Sequence, residues 1–338
     1  MSVADSDGLN PDQLDAVVHG DGPLLVVAGA GSGKTRVLTH RIANLINDRG
    51  VNPFRILAIT FTNKAADEMR QRVEALVGPV ARKMWVSTFH SACVRILRRD
   101  AGRLGYPSNF SIYDQADAER LTGYVIRDLH LDAKKFTARG VHAIISAAKN
   151  DLVLVDEYAA KASSIFERKI ADIYREYQAR LEKAGAMDFD DLLTVTVRLF
   201  RACPDVLEHY QERFEHILVD EYQDTNRAQN EIVLLLAERH RNVTVVGDSD
   251  QCLPPGSLVA TPDGVKPIDA VREGDDVLGT DGRDAVAGRV TTVKKGRYDG
   301  PLVVMSAGGR TLRATPHHLV PTRLTLEAGR FVVYLMWR

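Results

Sequence analysis

The chain has 338 residues, of which 45% are hydrophobic and 26% charged, a composition typical of globular proteins and not of collagen-like, coiled-coil or mainly disordered chains. Its 44 Lys and Arg against 45 Asp and Glu leave a formal net charge of −1, so any surface for a polyanion must be a local patch. Three cysteines cannot form a disulfide framework, the polar N-terminus is no signal peptide, and no apolar run approaches a membrane span, so we expect a cytoplasmic protein without a membrane partner.

The first 251 residues alternate short apolar runs with longer amphipathic stretches, which is typical of an α/β fold with a parallel sheet. A stretch from about residue 110 to 185 is mostly helical and charged in pattern, with helices predicted over residues 117–129 and 165–183, and we interpret it as a helical insertion between strands. The apolar runs that we predict as buried parallel strands cover residues 24–28, 56–60, 85–88, 217–219 and 243–247.

Composition changes near residue 252. The segment from there to residue 338 holds eleven of the 25 Gly and seven of the 13 Pro, and its 12 basic and 9 acidic residues give a charge of +3. Gly and Pro punctuate short strands, so this tail is predicted to be all-β.

A glycine-rich segment follows the first predicted strand and precedes a helix predicted over residues 36–46. In this context successive backbone N–H groups cradle phosphates, Lys34 reaches the β- and γ-phosphates of a nucleotide, and Thr35 binds Mg²⁺. The first glycine of the usual pattern is replaced by Ala28, and the alternative is a glycine-rich turn without a ligand. The candidate phosphate-binding residues are Ala28, Gly29, Ala30, Gly31, Ser32, Gly33, Lys34 and Thr35.

A pair of carboxylates ends the strand predicted over residues 217–219. We expect Asp220 to bind Mg²⁺ and Glu221 to polarise an attacking water molecule. Residues 152–158 look similar, but they lie in the helical insertion and lack the following Gln-Asp, so we predict a loop or the start of a helix there.

Seven ordered motifs together resemble the UvrD/Rep/PcrA-type superfamily 1 DNA helicases over roughly residues 8–251. The phosphate cradle and the acidic pair are two motifs of that family. The others match residues 8–13 (GLNPDQ), 59–66 (ITFTNKAA), 86–90 (VSTFH), 188–192 (DFDDL) and 246–251 (VGDSDQ).

The resemblance implies ATP and Mg²⁺ as cofactors and DNA as the partner. Gln13 would read the edge of the adenine, and Gln251 would sense the γ-phosphate. Phe61 would be a stacking platform for bases, with Asn63, Lys64 and His90 on the strand backbone; the alternatives are that Phe61 belongs to the core and that His90 is a satisfied buried imidazole. The basic residues 95–99 are interpreted as a solvated helix face.

The helicase pattern breaks after Gln251, and the sequence beginning with Cys252 resembles the N-terminal part of an intein, the Hint-type splicing fold. Cys252 would attack the carbonyl of Gln251 to form a thioester, with Thr315 and His318 supplying hydrogen bonds and a proton. His317 is a weaker alternative to His318, and a buried structural thiol is the alternative for Cys252. The His-Asn ending of inteins does not occur, which indicates a fragment or one half of a split intein.

We therefore expect a RecA-like P-loop domain formed by residues 1–109 and 186–251, a helical insertion over 110–185, and a partial all-β Hint domain over 252–338. The implied function is ATP-driven 3′–5′ translocation and unwinding of DNA, with single-stranded and duplex DNA as partners, combined with protein splicing. The second RecA-like domain and the C-terminal intein segment are missing partners, so hydrolysis by this chain is expected to be very slow. The alternative is a non-helicase P-loop DNA-dependent ATPase or a regulatory nucleotide switch.

Overall fold

A computed structural model describes residues 8–28, 31–247, 258–262, 264–267, 270–272, 274–280, 285–290, 303–307, 310–314 and 332–336. The helices are α1 Pro11–Val18, α2 Lys34–Asn47, α3 Asn63–Val77, α4 Phe89–Asp100, α5 Gln115–Asp128, α6 Ala138–Asn150, α7 Val155–Lys161, α8 Ile165–Lys183, α9 Phe189–Ala202, α10 Pro204–Arg213 and α11 Arg227–Ala237. The strands of the sheets are β1 Leu24–Ala28, β2 Ile56–Thr60, β3 Trp85–Thr88, β4 Ser111–Tyr113, β5 Ala186–Asp188, β6 His216–Val219 and β7 Val243–Gly247. The strands of the tail are β8 Leu258–Thr261, β9 Gly264–Pro267, β10 Asp276–Thr280, β11 Ala285–Arg289, β12 Val303–Ala307, β13 Arg310–Ala314 and β14 Val332–Met336. Within these ranges no helix is long and apolar enough to cross a membrane.

The first of two compact units comprises residues 1–50, 219–224 and 243–338. Its central strand is β1, which pairs in parallel with β7 on one side and with β14 on the other. Four of the five β1 residues are buried, as expected of a parallel strand that is covered on both faces. Helix α2 follows β1 and packs against α1, with Val37, Leu38 and Ile42 fully buried.

The tail contains strands, as its composition predicts, and six of them form three antiparallel hairpins: β8–β9, β10–β11 and β12–β13. Strand β14 differs from the expectation, because we placed this apolar end of the chain in a separate all-β domain. It instead pairs with β1, from Leu24↔Val332 to Ala28↔Met336. An unpaired edge of a sheet offers a row of backbone hydrogen-bonding groups, and an apolar strand can add to it. The Hint assignment itself stays a prediction.

The second unit comprises residues 51–218 and 225–242. Strand β2 lies between β6 and β3, pairs in parallel with β3, and is buried along its whole length. The helical segment between β4 and β5 has its own apolar core, which includes Val125, Ile145, Ile170, Tyr174 and Leu181. These two short strands pair in parallel and bring the ends of the segment together.

The helix predictions in this segment are confirmed. Helix α8 spans Ile165–Lys183 as predicted, and α5 begins two residues before the predicted start because the side chain of Asp114 caps its first turn. Residues 152–158, whose sequence resembles the strand end at Asp220, lead into α7, which begins at Val155, as predicted.

The basic run on α4 is not simply solvated. Arg95 and Arg99 are exposed, but the guanidinium of Arg95 lies 4.1 Å from the centre of the Trp85 ring. Arg98 lies 3.9 Å from the centre of the Phe110 ring and donates a hydrogen bond to the Phe110 carbonyl at 2.6 Å. Long basic side chains bury their stems and planar heads on aromatic rings in this way.

Candidate nucleotide-binding site

The glycine-rich loop follows β1 and leads directly into α2, which begins at Lys34. Gly33 has φ +88°, and a Cβ on it would lie 3.0 Å from the side-chain nitrogen of Gln13. Gly31 also has positive φ, at +75°. Glycine is required here because the left-handed backbone is unfavourable for other residues and, at Gly33, because a neighbour occupies the space.

Gln13 connects the first helix to this loop. Its Nε2 donates to the Ser32 carbonyl at 2.8 Å, and its Oε1 accepts from the Asn10 backbone at 3.0 Å as half of a capping box. Both polar atoms of the amide are therefore engaged once. Each retains one further hydrogen-bonding position, so the predicted contact with adenine stays chemically possible and stays a prediction.

Two polar groups of the loop suit an anionic ligand. The ammonium of Lys34 is buried at 8% exposure and donates to the carbonyl of Ala28 at 2.9 Å, at the end of β1. The hydroxyl of Ser32 is buried and has no hydrogen-bond partner among the described residues. Phosphate oxygens at the N-terminus of α2 would accept from both groups. The residues present therefore fit a nucleotide phosphate.

The metal ligands predicted from sequence lie side by side. Thr35 Oγ1 donates to Asp220 Oδ2 at 3.0 Å, although 185 positions separate the two residues. Burial and then the charge of the neighbouring Glu221 raise the pKa of Asp220, and the hydrogen bond from Thr35 opposes this. A hydroxyl and one carboxylate, completed by phosphate oxygens and water, are the set that Mg²⁺ takes in nucleotide sites. In the described ranges no group of three or more His, Cys, Asp or Glu is arranged to hold a metal ion.

Glu221 has an unusual backbone and a partner that sequence reasoning missed. Its φ is +51°, in the left-handed region that costs a non-glycine residue roughly 1 kcal/mol or more. Gln223 Nε2 donates to Glu221 Oε2 at 2.8 Å, and Gln223 is 5% exposed. The buried amide thus fixes the direction of the carboxylate predicted to act on water. Gln223 is part of the Asp-Glu-Tyr-Gln-Asp sequence, but its contact with Glu221 depends on the backbone conformation of the turn and could not be predicted from the sequence.

The residues predicted to contact a strand of DNA lie in the second unit. Phe61 is half-buried, and its ring meets the fully packed Phe89 edge-on at 6.0 Å between centres. Asn63 and Lys64 are exposed in the first turn of α3. His90 is half-buried in the first turn of α4. Phe89, and not Phe61, is therefore the core member of this aromatic pair.

His90 is expected to titrate below the ordinary histidine value of 6.5. Burial lowers its pKa, and the charge of Asp190 only partly opposes this. Because the folded pKa is the lower one, the unfolded chain binds the proton more readily, so stability is highest above pH about 6.5 and falls as pH drops from there through the folded pKa. An NMR titration of the ring, assigned with His90→Asn, measures this directly, and a midpoint at or above 6.5 would contradict it.

A buried charged cluster beside these residues was not predicted. Lys149 Nζ donates to Asp188 Oδ2 and to Asp191 Oδ1, each at 2.7 Å, and the Tyr177 hydroxyl donates to Asp188 at 2.7 Å. All four side chains are at most 3% exposed. The sequence does contain one indication of this cluster: Lys149 lies on the apolar face of α6, four residues after the buried Ile145.

Several candidate residues lie outside the described part of the chain. These are the phosphate-binding candidates Gly29 and Ala30, and all the splicing candidates, namely Gln251, Cys252, Thr315 and His318. Their roles stay predictions.

Comparison with known proteins identifies the family. The model of the UvrD/REP helicase N-terminal domain matches residues 9–253. The chain belongs to this family. The ATP-dependent DNA helicase PcrA of Bacillus subtilis is 54% identical over 246 residues, which are 73% of this chain and 33% of that protein. The PcrA proteins of Leuconostoc citreum and Staphylococcus aureus strain Mu50 are 53% and 50% identical over 249 and 245 residues, covering 73% and 72% of this chain and 33% and 34% of theirs. The chain thus spans about a third of the length of the curated relatives it matches.

Proposed function

We propose that this chain is the N-terminal ATP-binding module of an ATP-dependent DNA helicase that translocates 3′ to 5′. The observation that carries the proposal is the approach of Thr35 to Asp220 at 3.0 Å, beside the buried ammonium of Lys34. These are the groups that phosphoryl-transfer sites require, namely a cation for the phosphates and a hydroxyl–carboxylate pair for Mg²⁺. The identity to PcrA helicases supports the assignment to DNA unwinding.

Different residues of the first unit bind the phosphates, the adenine, the metal ion and the attacking water. Lys34 and the backbone at the start of α2 bind the β- and γ-phosphates, and Gln13 recognises the adenine. Mg²⁺, held by Thr35 and Asp220, would neutralise charge on the phosphates. Glu221, aimed by Gln223, holds the attacking water and accepts its proton.

The residues of the second unit bind the DNA strand. Phe61 offers a half-buried ring on which a base stacks, and the exposed Asn63 and Lys64 contact the backbone. His90, held neutral by burial, adds a hydrogen bond and no charge. Binding of this kind does not depend on base sequence, as a translocating motor needs.

DNA-stimulated ATP hydrolysis tests the proposed activity. We expect the chain to bind Mg·ATP and single-stranded DNA but to hydrolyse ATP very slowly, because the motif ending at Gln251 runs directly into the Cys252 segment. Brisk DNA-stimulated turnover by residues 1–338 would contradict the effect assigned to that interruption. Nucleotide binding without any affinity for single strands would favour a regulatory switch instead.

We also propose that Cys252 starts protein splicing. Its thiolate attacks the carbonyl carbon of Gln251, the C–N bond breaks, a thioester forms, and the released amine of Cys252 takes a proton supplied through His318. The family match ends at residue 253, one residue beyond this cysteine, which supports a change of module there.

Cleavage at Cys252 is measurable by mass. With a thiol reagent, and with a complementary C-terminal half supplied, we expect release of a fragment ending at Gln251. Cys252→Ala should abolish the release, whereas Cys203→Ala, which removes a buried free thiol elsewhere, should leave it unchanged. An intact mass in every mixture would contradict the splicing role without affecting the helicase proposal.

A further inference from the structure

A small basic cavity lies against β3, at the edge of the strands of the second unit. It has a volume of about 360 Å³, and its polar lining comes from Arg70, Arg82, Trp85, Ser87, Ser91 and Arg95. The remaining lining residues are apolar, and none of the lining residues is acidic. The wall therefore offers hydrogen-bond donors and positive charge to whatever occupies it.

Several of these donors lack an acceptor. Trp85 is 4% exposed, and its indole N–H has no hydrogen-bond partner in the described part of the chain; the same holds for the buried hydroxyl of Ser87. Thr88 Oγ1 accepts from the Ser91 backbone and donates to the Ser91 hydroxyl at 2.9 Å, which leaves the hydroxyl proton of Ser91 for a further acceptor. A buried donor without an acceptor is unfavourable, and an acceptor in the cavity would remove this cost.

Two arginines meet at the Trp85 ring without a counter-charge. Arg95 lies 4.1 Å and Arg213 5.3 Å from the ring centre, and neither forms a salt bridge with a carboxylate in the ranges that the structure describes. Arg213 contacts the ring but does not line the cavity; its Nε is buried and has no hydrogen-bond partner among the described residues, and burial followed by the charges of Arg95 and Arg99 lowers its pKa. An anion beside them would relieve this like-charge repulsion.

Arg70 and Arg82, which line the cavity together with Arg95, are paired with carboxylates near the surface. Arg70 pairs with Asp67 at 2.5 Å and also donates to the Val86 carbonyl at 2.7 Å, and Arg82 pairs with Glu74 at 2.6 Å. Ion pairs near the surface stabilise a protein little, so the exposed guanidinium of Arg82 can turn to a better anion at little cost, whereas Arg70 is also held by its hydrogen bond to the Val86 carbonyl.

We propose that this cavity binds a phosphate group of a nucleic-acid strand. A guanidinium group can donate two parallel hydrogen bonds to two oxygens of one phosphate, and each hydroxyl and the indole N–H can donate one more. The size suits a phosphate group and not a folded partner. The source is a strand backbone and not free phosphate, because β3 leads from the cavity to Thr88 and on to His90, which is assigned to the strand. The inference rests on the proposed DNA-binding function and adds a phosphate contact to it.

Trp85 makes the site visible in solution. The chain has two tryptophans, Trp85 and Trp337, so Trp337→Phe leaves an emission signal from Trp85 only. In this background the full chain is titrated with a labelled ten-nucleotide oligothymidylate, and separately with pyrophosphate. We expect the emission of Trp85 to change as oligonucleotide is added and then to level off. It should level off at the same oligonucleotide concentration as the signal of the label, which reports binding.

Arginine variants then test the assignment. Arg82→Gln with Arg95→Gln should weaken oligonucleotide binding about tenfold and lower the slope of log affinity against log salt by roughly 0.7 per lost phosphate contact. Arg72→Gln is the matched control: Arg72 is an exposed arginine of α3 outside the cavity, and its loss should change affinity less than about twofold.

The outcomes are distinguishable. Oligonucleotide binding with silent Trp85 emission, or equal effects of the cavity and control variants, would overturn this inference and leave the proposed function standing. Saturation of the emission change by pyrophosphate without a response to oligonucleotide would overturn the strand as the source of the phosphate. No oligonucleotide binding by the unchanged chain would overturn both proposals.

Discussion

Replacing Lys34 with Ala is expected to weaken ATP binding by about 10- to 100-fold. The ammonium is the buried cation at the start of α2, and hydrogen bonds from charged donors contribute roughly 1.5–3 kcal/mol, where each 1.4 kcal/mol corresponds to a factor of ten. Titration of a fluorescent ATP analogue into the chain measures the effect.

Lys134→Ala provides the control for charge, because Lys134 is exposed and lies in the second unit. It removes one positive charge without touching the loop and should leave affinity within about twofold. Circular dichroism on Lys34→Ala checks that the fold is retained. Equal affinity of the Lys34→Ala variant and the unchanged chain would mean that the nucleotide binds elsewhere.

Replacing Lys149 with Met is expected to lower the free energy of unfolding by about 3–5 kcal/mol. The change removes the cation from two buried carboxylates, Asp188 and Asp191, and one partner of a buried ion pair is costly to leave alone. Burial acts to raise the pKa of Asp188, but the charge and hydrogen bond of Lys149 and the other hydrogen bonds outweigh it and lower that pKa, while burial and the charge of Asp188 raise the pKa of Asp191 to about 6. Urea unfolding at pH 7 measures the loss.

The pH dependence of the same variant is diagnostic. Without Lys149 both carboxylates are penalised by burial, so protonation should recover part of the lost stability as the pH falls from 7 towards 5. Lys169→Met is the control: it breaks an exposed pair with Asp172 at 3.4 Å, for which we expect at most about 1 kcal/mol. Equal losses for the two variants would contradict the structural role of the buried cluster.

Much of the fold follows from local patterns. Apolar runs of four to five residues predicted β1, β2, β3 and β7 with their observed ends, because most residues of these strands are buried. The phosphate loop was predictable because positive φ at Gly31 and Gly33 allows few other residues. Thr35 and Asp220 were predicted as ligands of one Mg²⁺; Thr35 Oγ1 lies 3.0 Å from Asp220 Oδ2, and their role as metal ligands stays a prediction.

Contacts between residues that are far apart in the chain could not be predicted from the sequence. Lys149 meets Asp188 and Asp191 across about forty positions, and the pattern shows only a lysine on an apolar face. The pairing of β14 with β1 likewise joins distant segments, since an apolar strand specifies burial but not its neighbour. Arg95, which lies against the Trp85 ring, was interpreted as solvated because helical periodicity does not reveal an aromatic ring on another element.

The Mg²⁺ dependence of ATP binding tests the central claim most directly, namely that Lys34, Thr35 and Asp220 form one nucleotide site. The affinity of the chain for ATP is measured by calorimetry with and without Mg²⁺, for the unchanged chain and for Asp220→Asn. We predict that Mg²⁺ strengthens binding to the unchanged chain by about tenfold or more and that Asp220→Asn removes most of this gain, because the carboxylate supplies a hard oxygen ligand. The same Mg²⁺ effect in both proteins would show that Asp220 does not hold the metal and would contradict the account.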